Sequence, residues 1–388
     1  MNAPNRLCLL LVAVVLGLSG FSRAQTTSPM SLPVYIGTYT GPGKGQGIYL
    51  TYLDLAAGTL SPPELVAQTV NPTFLALHPN HKFLFAVNEV ADFNGKKDGA
   101  VTGFSIDAPT GKLTAINQQP SGGPGPCHLS FDPDGKHVLI GNYVGGSFEV
   151  LPVDDDGKMA EATCAIQDDT SDPRHPPHGH CIQFDPAGTF VIADDLGLDK
   201  IFVFRFDPAK GVLTANDPPA VDTGKGEGPR HLAFHPNGKW AYNINELNST
   251  MSQYSWDGER GILTEVQSLS TLPGDYHGNN TCAELAVHPS GRFIYGSNRG
   301  NNSIAIFRID PQTGRLTPAG HTPTGGKSPR NFAMDPGGHW LLAANQDSGN
   351  VVVFKVNTET GELKATGQSI QVGAPVCLTF FPPETTRR

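Results

Sequence analysis

Seven times along the chain a largely apolar run ends on a proline and passes into a turn. TFLALHP ends at Pro79, CHLSFDP at Pro133, HCIQFDP at Pro186, RHLAFHP at Pro236, AELAVHP at Pro289, RNFAMDP at Pro336 and VCLTFFP at Pro382, at separations of 54, 53, 50, 53, 47 and 46 residues. Each of the first six anchors leads through a turn such as PNG or PDG into an alternating strand such as KWAYNIN. A third strand such as SIAIFRID follows, then a hairpin such as PQTGRL with a fourth. A four-strand unit repeated near every fifty residues is one blade of a propeller.

Only six residues follow Pro382, so the last unit lacks three strands. They are found at the other end of the chain, where VYIGTY, GIYLTYLD and the segment around Leu60 to Val66 read as strands two to four without a first. Pairing the C-terminal strand with these closes the ring and removes its open edges. The predicted fold is all-β, a seven-bladed propeller of four-stranded blades.

Composition agrees with a turn-rich β protein: 388 residues with 45 Gly, 33 Pro and only 16% charged side chains. The strongest apolar run, Leu7 to Gly20, follows Arg6 and leads into Ser22-Arg23-Ala24. It is too short to span a bilayer comfortably and ends on small residues, the pattern of a cleaved secretory signal over 1–24. Residues 25–388 are then a single propeller domain, exported to the periplasm or the exterior. Without the leader the chain has 25 Lys+Arg against 36 Asp+Glu, a balance that argues against nucleic acid and anionic membranes as partners. A small anionic molecule remains compatible, provided basic residues gather locally. Five cysteines remain, Cys127, Cys164, Cys181, Cys282 and Cys377. They read as small buried side chains before disulfide partners. Asn248, Asn279 and Asn301 open N-x-S/T sequons.

Counting from each anchor proline exposes two columns. Thr73, Cys127, His180, Arg230, Ala283, Arg330 and Val376 lie six before it; Glu89, Tyr143, Leu196, Glu246, Arg299 and Gln346 lie ten after it. Their midpoint is the turn, so the columns are predicted to face one another across each hairpin and to ring one mouth of the channel. His180, Arg230 with Glu246, and Arg299 then fall on three consecutive blades, with Arg330 on the next. Paired guanidinium groups can hold a carboxylate, a phosphate or an oxyanion. A glutamate among them stays ionised and can orient water, and histidine supplies a complementary acid or hydrogen bond. Glu89 is a second carboxylate across the ring. One residue before the second column stand Asn88, Asn142, Asp195, Asn245, Asn298 and Asn345. Such side chains satisfy backbone groups where a strand stops, and Asn245 and Asn298 are also candidates to touch substrate.

Other chemistries find little support. HPPHGH, from His175 to His180, lacks a spaced acidic or cysteine ligand, so no metal is expected. There is no GxSxG, and GPGKGQG lacks the spacing of a phosphate loop. No cofactor is implied, and the expected assembly is a monomer.

The chain resembles the seven-bladed propeller lactonases, the group that includes propeller-type 6-phosphogluconolactonase and the fungal carboxymuconate lactonizing enzyme. GEGPRHLAFHPNGKWAYNINELNS, PHGHCIQFDPAG with DLGLDKIFVF, and SGRFIYGSNRGNNSIAIF carry the resemblance. It implies metal-independent opening of a sugar lactone by water, with His180, Arg230, Glu246 and Arg299 in the site. A muconate-type cyclisation, or a secreted propeller that binds without turnover, are the alternatives. The phosphorylated substrate of the group sits uneasily with an exported chain. Export is checked by intact mass of the protein recovered from a secreting host: the expected product begins at Gln25, and a cytoplasmic product retaining residues 1–24 contradicts it.

Overall fold

The computed structural model describes Met1, residues 31–168 and residues 173–382; apart from Met1, the predicted leader lies outside the described residues. These form 29 strands in seven antiparallel sheets, and no helix. Six sheets are four consecutive strands each. Blade 4 is representative: β17 (Pro229–Phe234) lines the channel, followed outward by β18 (Trp240–Asn245), β19 (Thr250–Asp257) and β20 (Ile262–Ser270).

The seventh sheet joins the ends of the chain. β29 (Pro375–Phe380) pairs with β1 (Ser31–Thr38), Val34 opposite Phe380 and Ile36 opposite Leu378, and β1 pairs with β2 (Gly47–Asp54). The outermost strand differs from the sequence expectation. It is two pieces, β3 (Thr59–Leu60) and β4 (Glu64–Gln68), both on β2. Pro62 and Pro63 fall between them and have no N–H to give the ladder.

Alternation within the second strands sorts side chains between neighbouring blades, not between core and solvent. Every residue of β18 is buried. Trp240, Tyr242 and Ile244 pack with Leu285, Ile294 and Phe307 of blade 5, whereas Ala241 packs with Phe190, Ile192 and Ile201 of blade 3. The next blade's outer hairpin completes the fit. Gly314 has φ +72°, and a Cβ there would come within 2.4 Å of the Trp240 ring, so only glycine suits both the turn and the close approach. Its carbonyl accepts the Tyr242 hydroxyl at 2.8 Å; Tyr295 repeats this bond to Gly361 at 2.9 Å. The residue before the anchor proline divides by type. His235 and His288 bond the turn carbonyls of the following blade, Gly291 and Gly338, at 2.9 Å each. Asp185 and Asp335 accept N–H groups of their own turns.

The ladder next to the channel corrects the predicted register. In blade 4 Ala233 faces Tyr242 and His231 faces Ile244, but the next pair is Pro229 with Asn245. Arg230 is therefore the extra residue of a β-bulge and is not opposite Glu246. The same irregularity falls at Cys127 in blade 2, at His180 and Cys181 in blade 3, at Ala283 and Glu284 in blade 5, at Arg330 in blade 6 and at Val376 in blade 7. A bulge bends its strand and re-aims the side chain it carries. The position six before the proline is thus the bulged position in six blades.

Candidate active site at the channel mouth

Arg230 and Arg299 converge on one carboxylate. Glu246 Oε2 accepts Arg230 Nε at 2.9 Å and Arg299 Nη2 at 2.7 Å, with side chains only 3% (Arg230), 13% (Arg299) and 17% (Glu246) exposed. Each guanidinium is tied a second time to blade 5 backbone, Arg230 Nη1 to Ala283 O at 2.6 Å and Arg299 Nη2 to Cys282 O at 2.7 Å. Glu246 Oε1 accepts no hydrogen bond from the described residues and stays accessible.

His180 lies beside this pair and is buried. Its ring is 4.9 Å from that of His231 and 5.9 Å from that of Tyr143, and its Nδ1 is buried without a partner. Burial, reinforced by Arg230, His231, Arg330 and His128, drives its pKa well below the usual histidine range, so the imidazole is neutral at neutral pH. Burial alone would raise the Glu246 carboxyl, but Arg299, Arg230 and Arg330 together outweigh it and hold the pKa low. Arg299 is pushed down to about 10, first by burial and then by Arg230, and remains a cation.

Arg330 completes the cationic side differently. Its guanidinium lies 5.6 Å from the centre of the Tyr39 ring and makes no hydrogen bond among the described residues. Tyr39 donates its hydroxyl to Glu89 Oε1 at 2.7 Å, and Thr73 Oγ1 donates to Glu89 Oε2 at 2.6 Å. Glu89 is thereby occupied on both oxygens, and no described bond links it to Glu246. Three guanidinium groups thus share the mouth, two committed to Glu246 and one uncommitted.

Comparison with known proteins decides the family. The family described as Lactonase, 7-bladed beta-propeller, matches residues 33–380. The chain belongs to the seven-bladed propeller lactonases. It is similar to the 6-phosphogluconolactonase of Bacillus subtilis, 36% identical over 77% of this chain and 83% of the relative. It is also similar to that of Formosa agariphila, 34% identical over 77% and 85%. The solved structure of the periplasmic gluconolactonase of Pseudomonas aeruginosa superposes with a TM-score of 0.85 at 34% identity, covering 90% of this chain and 99% of that one. The chain is a lactone hydrolase.

In this lactonase the two asparagines offered as substrate contacts are structural. Asn245 is fully buried and gives Nδ2 to Thr250 Oγ1 and Ser252 Oγ; Asn298 is fully buried among Thr271, Asn280 and Ser303. Of the histidine run, His178 bonds the Tyr143 carbonyl through Nδ1 and stacks on that ring. The described cysteines are all free thiols.

Sequence reasoning missed two features. Tyr39 follows Thr38, which pairs with Pro375 as Asn245 does with Pro229, so it is the seventh member of the second column. The TY ending VYIGTY was its signal. The column five before each proline, Phe74, His128, Cys181, His231, Glu284, Asn331 and Cys377, forms a polar and aromatic layer under the mouth.

The clamp carries a prediction about stability. Glu246→Gln leaves Arg230 and Arg299 close together without their anion, a loss of about 3–5 kcal/mol for a broken buried pair. The native carboxyl has a lowered pKa, so its stabilisation is complete above the unfolded value near 4.3 and is lost as pH falls through the folded value. Urea unfolding of both proteins is expected to show a large gap at pH 7 that closes below pH 4. An equal gap at both pH values contradicts the ionised clamp.

Proposed function

We propose that this lactonase hydrolyses an unphosphorylated sugar 1,5-lactone outside the cytoplasm. The observation that carries the reading is Glu246, held as an anion by two arginines on Oε2 while Oε1 remains open. Oε1 is the acceptor that orients and deprotonates the attacking water. A neutral His180 with Nδ1 buried and unpartnered favours the Nε2–H tautomer, because a buried N–H without an acceptor is rarer than an unmet lone pair. Nε2–H then serves as donor to the lactone oxygens. As water adds to the carbonyl carbon, negative charge moves to the carbonyl oxygen, where Arg330 has donors to spare. Collapse expels the ring oxygen, which takes the proton that Glu246 removed from the water, leaving an open-chain hydroxy acid and Glu246 again as the carboxylate. A lactone is an activated ester, so a carboxylate of low basicity suffices as base.

The substrate follows from the predicted leader together with the likeness to a periplasmic gluconolactonase. A phosphorylated sugar lactone is the second reading. It is favoured by the names of the relatives and by a cleft of about 420 Å³ beside Tyr39, lined by Lys44, Gln346 and Ser348, which has room for a charged tail.

A pH-stat assay of the chain from Gln25 on glucono-1,5-lactone, 6-phosphogluconolactone and a muconolactone tests this, with Glu246→Gln run alongside at a temperature where both are folded. Turnover of glucono-1,5-lactone is expected, with a loss of about 10²–10⁴-fold in the variant. Preference for the phosphorylated lactone selects the second reading, and inertness toward every sugar lactone contradicts both.

A further inference from the structure

The layer beneath the mouth contains a hydrogen-bond chain whose donors converge on the Glu284 carboxylate from both ends. Leu378 N–H, a donor by constitution, gives to Asn331 Oδ1 at 2.9 Å, which fixes the amide orientation. Asn331 Nδ2 must then give to Glu284 Oε2, 2.5 Å away. Glu284 Oε1 accepts Leu285 N–H at 3.1 Å and faces His231 Nδ1 at 3.0 Å, so that nitrogen carries the proton. His231 Nε2 keeps its lone pair and meets Arg230 Nη1 at 3.2 Å. The chain crosses blades 4 to 7 and leaves Arg230 held by Glu246, the Ala283 carbonyl and His231.

We infer that His231 is a positioning residue of the lactonase: Glu284 sets its tautomer, and its Nε2 lone pair fixes the Arg230 guanidinium and through it the Glu246 carboxylate. The inference rests on the assignment of Glu246 to the reaction. Filling space under His180 would require only a ring of this size, and His231 does pack against Phe74, His128 and His180. Its bonds add a requirement for polarity. In the opposite tautomer Nε2–H would confront an Arg230 N–H, two donors at hydrogen-bond distance, and Glu284 Oε1 would lose the His231 donor. Burial, with Arg230 and Arg330, lowers the pKa of His231 against the opposing pull of Glu284, which keeps the ring neutral as the bond to Arg230 requires. A displacement of Glu246 by about 1 Å is of the size that costs 10²-fold in rate.

The test combines ¹⁵N spectra of histidine-labelled protein with kinetics of His231→Leu, His231→Gln and Glu284→Gln, each confirmed folded by thermal unfolding. The spectra are expected to show His231 protonated at Nδ1 in the wild type and a mixture of tautomers in Glu284→Gln. His231→Leu is expected to lower kcat about 10- to 100-fold with KM little changed. His231→Gln, whose amide offers N–H to Glu284 and oxygen to Arg230, recovers most of that loss. Wild-type kcat in His231→Leu, a deficit that glutamine does not repair, or His231 protonated at Nε2 overturns the inference. Should the wild type open no lactone, the proposed activity falls, and the tautomer together with its response to Glu284→Gln still decides whether the chain positions Arg230.

Discussion

One extra residue at the end of the innermost strand governs the arrangement of this channel. Without the bulge, residues six and five before the anchor proline would alternate between opposite faces of the blade. With it, the two form stacked layers around the axis. Arg230 touches both Glu246 at the mouth and His231 beneath it because the ladder is broken at that residue. Repetition of the bulge in blades 2 to 7 gives each of them the same two positions to fill. Only the side chains distinguish one sector of the ring from another, and that asymmetry is what an asymmetric substrate needs.

Burial of charge dictates the chemistry those side chains can do. Arg230 and Arg299 meet in a space with little access to water, and a shared carboxylate is what permits both to remain charged. The result is a glutamate with one saturated oxygen and one open oxygen, ionised well into acid. The same environment holds His180 neutral, so a fixed anion stands beside a neutral imidazole. Arg330 rests on the Tyr39 ring and makes no hydrogen bond among the described residues. Tyr39 in turn donates its hydroxyl to Glu89, the second carboxylate of the mouth column, which is thereby tied to the aromatic ring under Arg330.

The blade count, the ring closure and the sector containing His180, Arg230, Glu246 and Arg299 were legible because an anchor proline marks the same backbone position seven times. Register was not. A bulge changes pairing by one residue without a compositional trace, and predicted opposition of Arg230 and Glu246 failed for that reason, although the side chains still meet. Tyr39 was hidden because its blade is split between the two ends of the chain. Asn245 and Asn298 illustrate the converse: polar residues beside the mouth that are fully buried, their amide N–H groups given to neighbouring residues of the fold. The layer of His231, Glu284 and Asn331 was visible as a column but had no meaning until the bulge placed it under the first.

The pH dependence of kcat/KM for lactone hydrolysis tests the central claim most directly, because it reports the ionisation of groups in the free enzyme. A clamped Glu246 and a buried neutral His180 both resist protonation, so the profile is expected to stay flat from pH 7 to about pH 5 and to fall only below that. An acid limb near pH 6.5, the value of an ordinary exposed histidine, would contradict the account.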